Sequence, residues 1–512
     1  MACMMLGSLG FSKYARLNPH GSLGMRNALL LTLLAATLAC AQSAPPPMRL
    51  GAVTVTGSLR SRIYSWDWFK PSSGDNQYVY SGNLLRLNLV ENRNRWDWDV
   101  EFASPFLLGL PGTATAQAPQ GTLGLGSNYY SANDNSQYSG MVFAKQLFAR
   151  FTGLGGSDAN TLQAGRFEFT DGMELASKSA TIATLKRDHI GQRLIGTFGF
   201  SDVGRSFDGL HYSYSKSARD FTFVAAVPTR GVYQTDGWGW NDVAFAYASF
   251  TRAWGRGSHS SDTRLFAIDY DDWRKVLKTD NRPPAVRSGD AQNIRIQTFG
   301  GHSLHAFTTE AGTIDALGWG VFQTGLWGTQ IQRAYAFDLE AGYQPTTAGL
   351  KSLAALKPWI RAGYTVGSGD GNPNDSRHET FFQILPTPRI YARFPFYNMM
   401  NTEDRFGALA LGPHAKVTIV SEFHSLRLSN ANDFWYSGGG VFQPWTFGYT
   451  GRSTSARRSL ANLYDSSVEY RATPRVTFTA YFGFTQGRAA MEKIYPQGKN
   501  GEFGYAETLF RF

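Results

Sequence analysis

From about residue 50 onward the chain repeats one pattern that restricts its fold more than any other feature. Apolar and polar side chains alternate with a period of two, and no apolar run is long enough to cross a bilayer as a helix. Val53, Val55, Gly57, Leu59, Ser61 and Ile63 share one face of an extended segment, and Thr54, Thr56, Ser58, Arg60, Arg62 and Tyr64 share the other. Leu85, Leu87 and Leu89 alternate with Arg86 and Asn88, and Trp96, Trp98, Val100 and Phe102 with Asp97, Asp99 and Glu101. Later segments set Phe167 and Phe169 against Arg166 and Glu168, and Ile360, Ala362 and Tyr364 against Trp359, Arg361 and Thr365. Val476, Phe478, Ala480, Phe482 and Phe484 then oppose Thr477, Thr479, Tyr481 and Thr485. The last ten residues place Gly504, Ala506, Thr508, Phe510 and Phe512 on one face and end on a bare aromatic, as the closing strand of a bacterial barrel does.

A soluble antiparallel sandwich also alternates, but its polar face meets bulk water and carries lysine and glutamate in quantity. Here that face carries arginine with aspartate and glutamate, plus threonine, glycine and tyrosine. A mean hydropathy of -0.28 fits a wall with one apolar and one wet face. Aromatic content of 14% excludes disorder. The expectation is an all-β transmembrane antiparallel barrel of about 18 strands, at roughly 26 residues per strand and connection. Long polar stretches near 104–140, 171–200, 271–292, 367–403 and 427–465 read as extracellular loops or inward plugs, and 157–159 and 217–219 as short periplasmic turns. Tyr64, Trp66 and Trp68, with Trp435 and Tyr436, are the expected interfacial girdles.

The amino terminus stands apart. Met25-Arg26-Asn27, the apolar stretch Ala28 to Leu38 and Ala39-Cys40-Ala41 read as a signal peptide over 25–41, with 1–24 as an extension that carries no element and 50–512 as the barrel domain. The rival is a lipid anchor on Cys40, against which Thr37-Leu38-Ala39 makes a poor lipobox. Both cysteines, Cys3 and Cys40, lie in that segment, which leaves the exported body without a thiol. Loss of Lys13, Arg16 and Arg26 lowers the net charge from +10 to +7. The remaining dispersed, mostly arginine excess suits an anionic partner and lacks any nucleic-acid-binding signature.

Inward register nominates Arg60, Arg62, Arg86, Arg150, Arg166 and Arg361 as pore-lining cations, interleaved with Asp97, Asp99, Glu101, Glu168 and Glu340. Each arginine could equally be half of a structural ion pair, such as Arg166 with Asp97 or Glu101. Trp359 and Tyr481 are candidate stacking surfaces for sugar rings. Asp370, Asn372 and Asp375 stand at a spacing calcium could use, in a run that is also an ordinary turn. No phosphate loop, nucleophile elbow or paired metal histidines support an enzyme.

Several motifs carry a resemblance: Gly57-Ser-Leu-Arg60-Ser-Arg62 leading to Trp66-Asp-Trp68, Gly165-Arg166-Phe-Glu168-Phe-Thr-Asp-Gly172, and Arg205-Ser-Phe-Asp208-Gly209-Leu. Farther on come Gln323-Thr-Gly325-Leu-Trp327-Gly328 with Ala334, Glu340-Ala-Gly342-Tyr343, Gly367-Ser-Gly369-Asp370 with Asp375, Thr380-Phe381 and Leu385-Pro386. Together they resemble the alginate export family of outer-membrane porins over about 50–512. The resemblance implies an 18-stranded barrel with an electropositive constriction and, in polysaccharide-exporting members, a passive conduit for an anionic uronate polymer. The expected function is passive passage of anionic solutes, an alginate-like polyuronate included. The alternatives are a general or small-solute uptake porin and, behind it, a barrel enzyme or adhesin. Expected partners are an anionic polysaccharide or small anionic solute, outer-membrane lipid, the barrel-insertion machinery reading the C-terminal strand, and a periplasmic export partner.

Overall fold

The computed structural model describes residues 47–346, 353–387 and 393–512. The 1–24 extension and the 25–41 signal peptide lie outside the described residues. Eighteen long strands follow the expected alternation: β1 (Val53–Asp67), β2 (Gln77–Asn92), β3 (Trp96–Leu108), β4 (Phe143–Thr152), β5 (Asn160–Phe167) and β6 (Phe207–Lys216). Next come β7 (Arg219–Pro228), β8 (Val243–Arg256), β9 (His259–Asp272), β10 (Ile294–Thr309), β11 (Gly312–Trp327) and β12 (Gln330–Pro345). The wall is completed by β13 (Trp359–Gly367), β14 (Thr402–His414), β15 (Val417–Leu428), β16 (Ser459–Arg471), β17 (Val476–Gly487) and β18 (Gly501–Arg511).

Each strand pairs antiparallel with the next, and β18 returns to β1 with Ser58 opposite Arg511 and Asp67 opposite Glu502. Closure leaves the wall without a free edge, the condition for backbone polar groups to survive in lipid. The sheet is closed by the aromatic-ended strand that the sequence singled out. Outward positions carry exposed Leu85, Phe102, Leu265, Phe322, Leu339 and Phe482.

The connections divide by end. Two-residue links at 217–218, 257–258, 310–311 and 415–416 lie on the end that carries both β1's start and β18's finish. The connections 109–142, 168–206, 273–293, 368–401 and 429–458 all lie on the opposite end, which in bacterial barrels faces outward. These long segments do not stand free. They pack into the barrel mouth as two buried apolar clusters, one around Trp66, Tyr129 and Phe394 and one around Phe207, Trp327 and Phe382.

Two expectations about facing are corrected here. Phe167 is fully buried among Phe207 and Phe245 in the lumen, so its neighbour Arg166 takes the outer face, directly opposite exposed Leu147. An arginine facing lipid costs about 2–4 kcal/mol at mid-membrane but only about 0–1 near the boundary. Arg166 stands at the upper end of β5, doubly bonded to Asp208 at 2.7 Å and to the backbone oxygens of Ala144, Gly237 and Trp238. Likewise Tyr64, Trp66, Trp68, Trp435 and Tyr436 form no girdle. All are buried inside the mouth, while Trp96, Trp254, Tyr335 and Tyr470 are exposed on the outer wall.

Candidate functional site

The 168–206 connection crosses the lumen. Its helix α1 (Ala180–Leu185) is capped by Ser179, whose hydroxyl accepts from the Ile182 amide, and runs on into a wider turn over Lys186–Ile190. On one side, Lys186 pairs with Asp262 at 3.0 Å and Glu174 with Arg264 at 3.2 Å, both on β9. Midway, His189 meets Glu340 of β12 at 2.9 Å and Arg193 pairs with Asp338. Nearly across the ring, Arg60 and Arg62 of β1 donate to the backbone oxygens of Gly199, Ser201 and Phe200, and the Tyr64 hydroxyl donates to Asp202 at 2.9 Å. Gly82 makes room for this approach, because a Cβ there would lie 2.1 Å from the Asp202 carboxylate.

The 368–401 connection adds a second layer. Leu385 donates to the Leu194 oxygen at 2.7 Å, Gly196 to the Leu385 oxygen at 2.9 Å and Thr387 to the Gln192 oxygen at 3.0 Å. Two inward segments thus form a hydrogen-bonded septum held from three sides of the wall by charge-assisted bonds, the strong kind in a low-dielectric setting.

On the side of the septum toward the short turns lie two adjoining cavities of about 680 and 710 Å³, which share Arg187, Arg393, Glu469 and Glu507 in their walls. Among the described residues these walls together contain seven Arg or Lys residues (62, 187, 361, 393, 416, 471, 511) against four Asp or Glu (188, 422, 469, 507). Arg62 pairs with Glu507 and lies over the Phe200 ring at 4.7 Å. Arg361 pairs with Asp315 and with Glu340 at 2.8 Å. Arg393 makes no side-chain hydrogen bond or ion pair among the described residues. Among the described residues Arg187 bonds only to its neighbour Asp188, and it keeps 64% of its side chain exposed. Burial lowers the proton affinity of His189, and the Glu340 carboxylate opposite more than reverses this, so the imidazole stays charged above its ordinary range.

The structure separates the nominated residues into groups. Arg62, Arg361 and Glu340 meet at the septum and vestibule, and Arg60 pins the septum. Arg86 with Glu101 and Glu168, and Arg150 with Asp97 at 3.0 Å, form a different inward group on β2 to β4 and the residue that follows β5. Asp99 accepts from Asn88 at 3.3 Å. Arg166 lies outside altogether, paired with neither Asp97 nor Glu101. Trp359 lines the vestibule and donates to Asp315 at 2.9 Å, whereas Tyr481 is buried against Asp465. Asp370, Asn372 and Asp375 bond among themselves and to their own backbone as a turn. Among the described residues no three His, Cys, Asp or Glu side chains converge as a metal set. Strand register could not reveal Arg187, His189, Arg193 and Arg393, which stand on inward loops. The concentration of Lys186, Arg187, His189 and Arg193 within eight residues was the available signal.

No curated protein matches the sequence. Among solved structures the chain is similar to Pseudomonas aeruginosa OccK9 (OpdG), at 8% identity and a TM-score of 0.54, over 90% of this chain and 98% of that one. It is also similar to P. aeruginosa OpdK with vanillate, at 9% identity and 0.53 over 90% and 98%. Acinetobacter baumannii OccAB2 gives 8% and 0.53 over 90% and 99%. At such identities these likenesses speak for the fold, an outer-membrane porin barrel. The alginate export family model matches residues 141–479, more than half of the chain. The chain therefore belongs to the alginate export family and is a porin-type β-barrel of the bacterial outer membrane.

Proposed function

We propose that this barrel passes small anionic solutes, uronates among them, by passive diffusion through a vestibule with excess cationic side chains. The observation that carries the reading is the seven-to-four balance of cationic over anionic side chains among the described residues of the vestibule walls, with Arg393 in both cavities and Arg187 keeping 64% of its side chain exposed. In a narrow low-dielectric bore such groups lower the energy of an entering carboxylate, and paired carboxylates such as Glu507 and Glu422 keep the well shallow enough to leave. A septum in the path favours single sugars or other small carboxylates over an extended polymer. OpdK, alike in fold, was crystallised with vanillate, itself a small carboxylate. Proteoliposome swelling tests this reading. Glucuronate is expected to enter at least about threefold faster than glucose through the reconstituted barrel. Equal rates, or faster entry of glucose, would overturn it.

A further inference from the structure

A second cavity, of about 290 Å³, lies at the opposite, loop-bearing end, where four long connections meet the end of β1. Among the described residues no charged side chain lines it. Its walls are aromatic on several sides, with Trp68, Tyr233, Phe442 and Phe447, the Tyr233 and Phe442 rings meeting edge to face at 5.1 Å. Between them stand Asn128, Ser131, Gln443 and Thr446, whose side chains form no hydrogen bond among the described residues. Gln443 is only 4% exposed, and its Oε1, like the Thr446 hydroxyl, is buried without a partner.

Buried amide and hydroxyl groups left unpaired are costly, at roughly 1–3 kcal/mol each, and commonly mark a place where a polar ligand or water completes the bonding. Aromatic faces beside uncommitted amides and hydroxyls suit one chemistry closely. A pyranose ring presents C–H faces for stacking and hydroxyls that both donate and accept. The volume sits at the lower end of small-ligand sites, about 300 Å³, which suits one ring and not a chain of them. Nearby Arg274 and Arg452 are already bonded to backbone oxygens and to the Ser437 hydroxyl, and no cation stands among the described wall residues, which argues against a free carboxylate here, since an unpaired charge would lose its hydration for nothing.

We propose that this outer pocket binds a single neutral hexopyranose ring, independently of the cation-lined vestibule below. Isothermal titration of the detergent-solubilised full barrel with methyl α-D-glucopyranoside, methyl α-D-mannopyranoside and methyl β-D-galactopyranoside tests it. At least one is expected to bind saturably at about 1–10 mM, with glucuronate at least about tenfold weaker. Gln443→Ala should weaken that binding about fivefold. Ser131→Trp, at the exposed rim, should abolish it by filling the pocket while leaving the buried groups alone. Ion selectivity in bilayers should be unchanged in both variants, so failure of this proposal is distinguishable from failure of the anion reading. A neutral trisaccharide binding as well as the best monosaccharide would assign the site to chain ends, and no trisaccharide binding would assign it to free sugar. Either supports the pocket. Absence of saturable binding by every neutral glycoside, binding indifferent to both substitutions, or tighter binding of glucuronate would overturn it.

Discussion

Arginine in this chain does two jobs, and alternation alone tells them apart poorly. Arg60, Arg62 and Arg361 face inward as their register requires, yet each is held by backbone oxygens or carboxylates that a sequence cannot show. Arg166 broke the rule because a phenylalanine beside it was needed in the plugged lumen, where apolar side chains are as welcome as on the lipid face. Because Arg60 and Arg62 anchor the septum, the Arg60→Ala, Arg62→Ala double variant should open it and give larger, noisier single-channel steps. Unchanged steps would mean that the other anchors suffice. Asp370 supplies a second prediction at this scale. Burial, then the carboxylates of Asp433, Asp375 and Glu379, push it up to about 7, and burial pushes Asp433 up to about 6. Raised carboxyls favour the protonated folded form, so the contribution of these two groups to stability is fully present below about pH 4 and is lost as pH rises toward 7. Asp370→Asn should remove most of that slope and add about 1–2 kcal/mol at pH 8, read as a higher heat-modification midpoint. An unaltered pH profile would contradict it.

Strands were the most legible elements. A period of two with opposed chemistry forces a two-sided sheet, and most faces came out as the alternation requires, from Leu85 to Phe482. The connections were legible as long and polar but not as inward, because their destination depends on distant partners such as Arg264 and Asp338. The septum segment is the element whose behaviour can be dialled. His189 stays charged above its ordinary range against Glu340, so this tether is complete below about pH 6.5 and is lost as pH climbs through the raised value. Open-channel noise should therefore grow between pH 6 and pH 9 in the wild type, and His189→Gln should be noisy and less dependent on pH. Noise that declines with rising pH would reverse the assignment.

At the scale of the molecule, β18 pairs with β1 to close the wall, with short turns on one end and a filled mouth on the other. Fold and family were readable because a closed barrel must repeat one pattern around the whole wall, whereas the vestibule arises where two loops meet strands far apart in sequence. Its charge is the centre of the functional account. The most direct test is the reversal potential of single channels in a KCl gradient across a planar bilayer, for the wild type and for Arg187→Gln, Arg393→Gln. The wild type should prefer chloride over potassium, and the double variant should lose that preference by about threefold or more. Cation preference in the wild type, or selectivity untouched by the substitutions, would contradict a cation-lined path for anions.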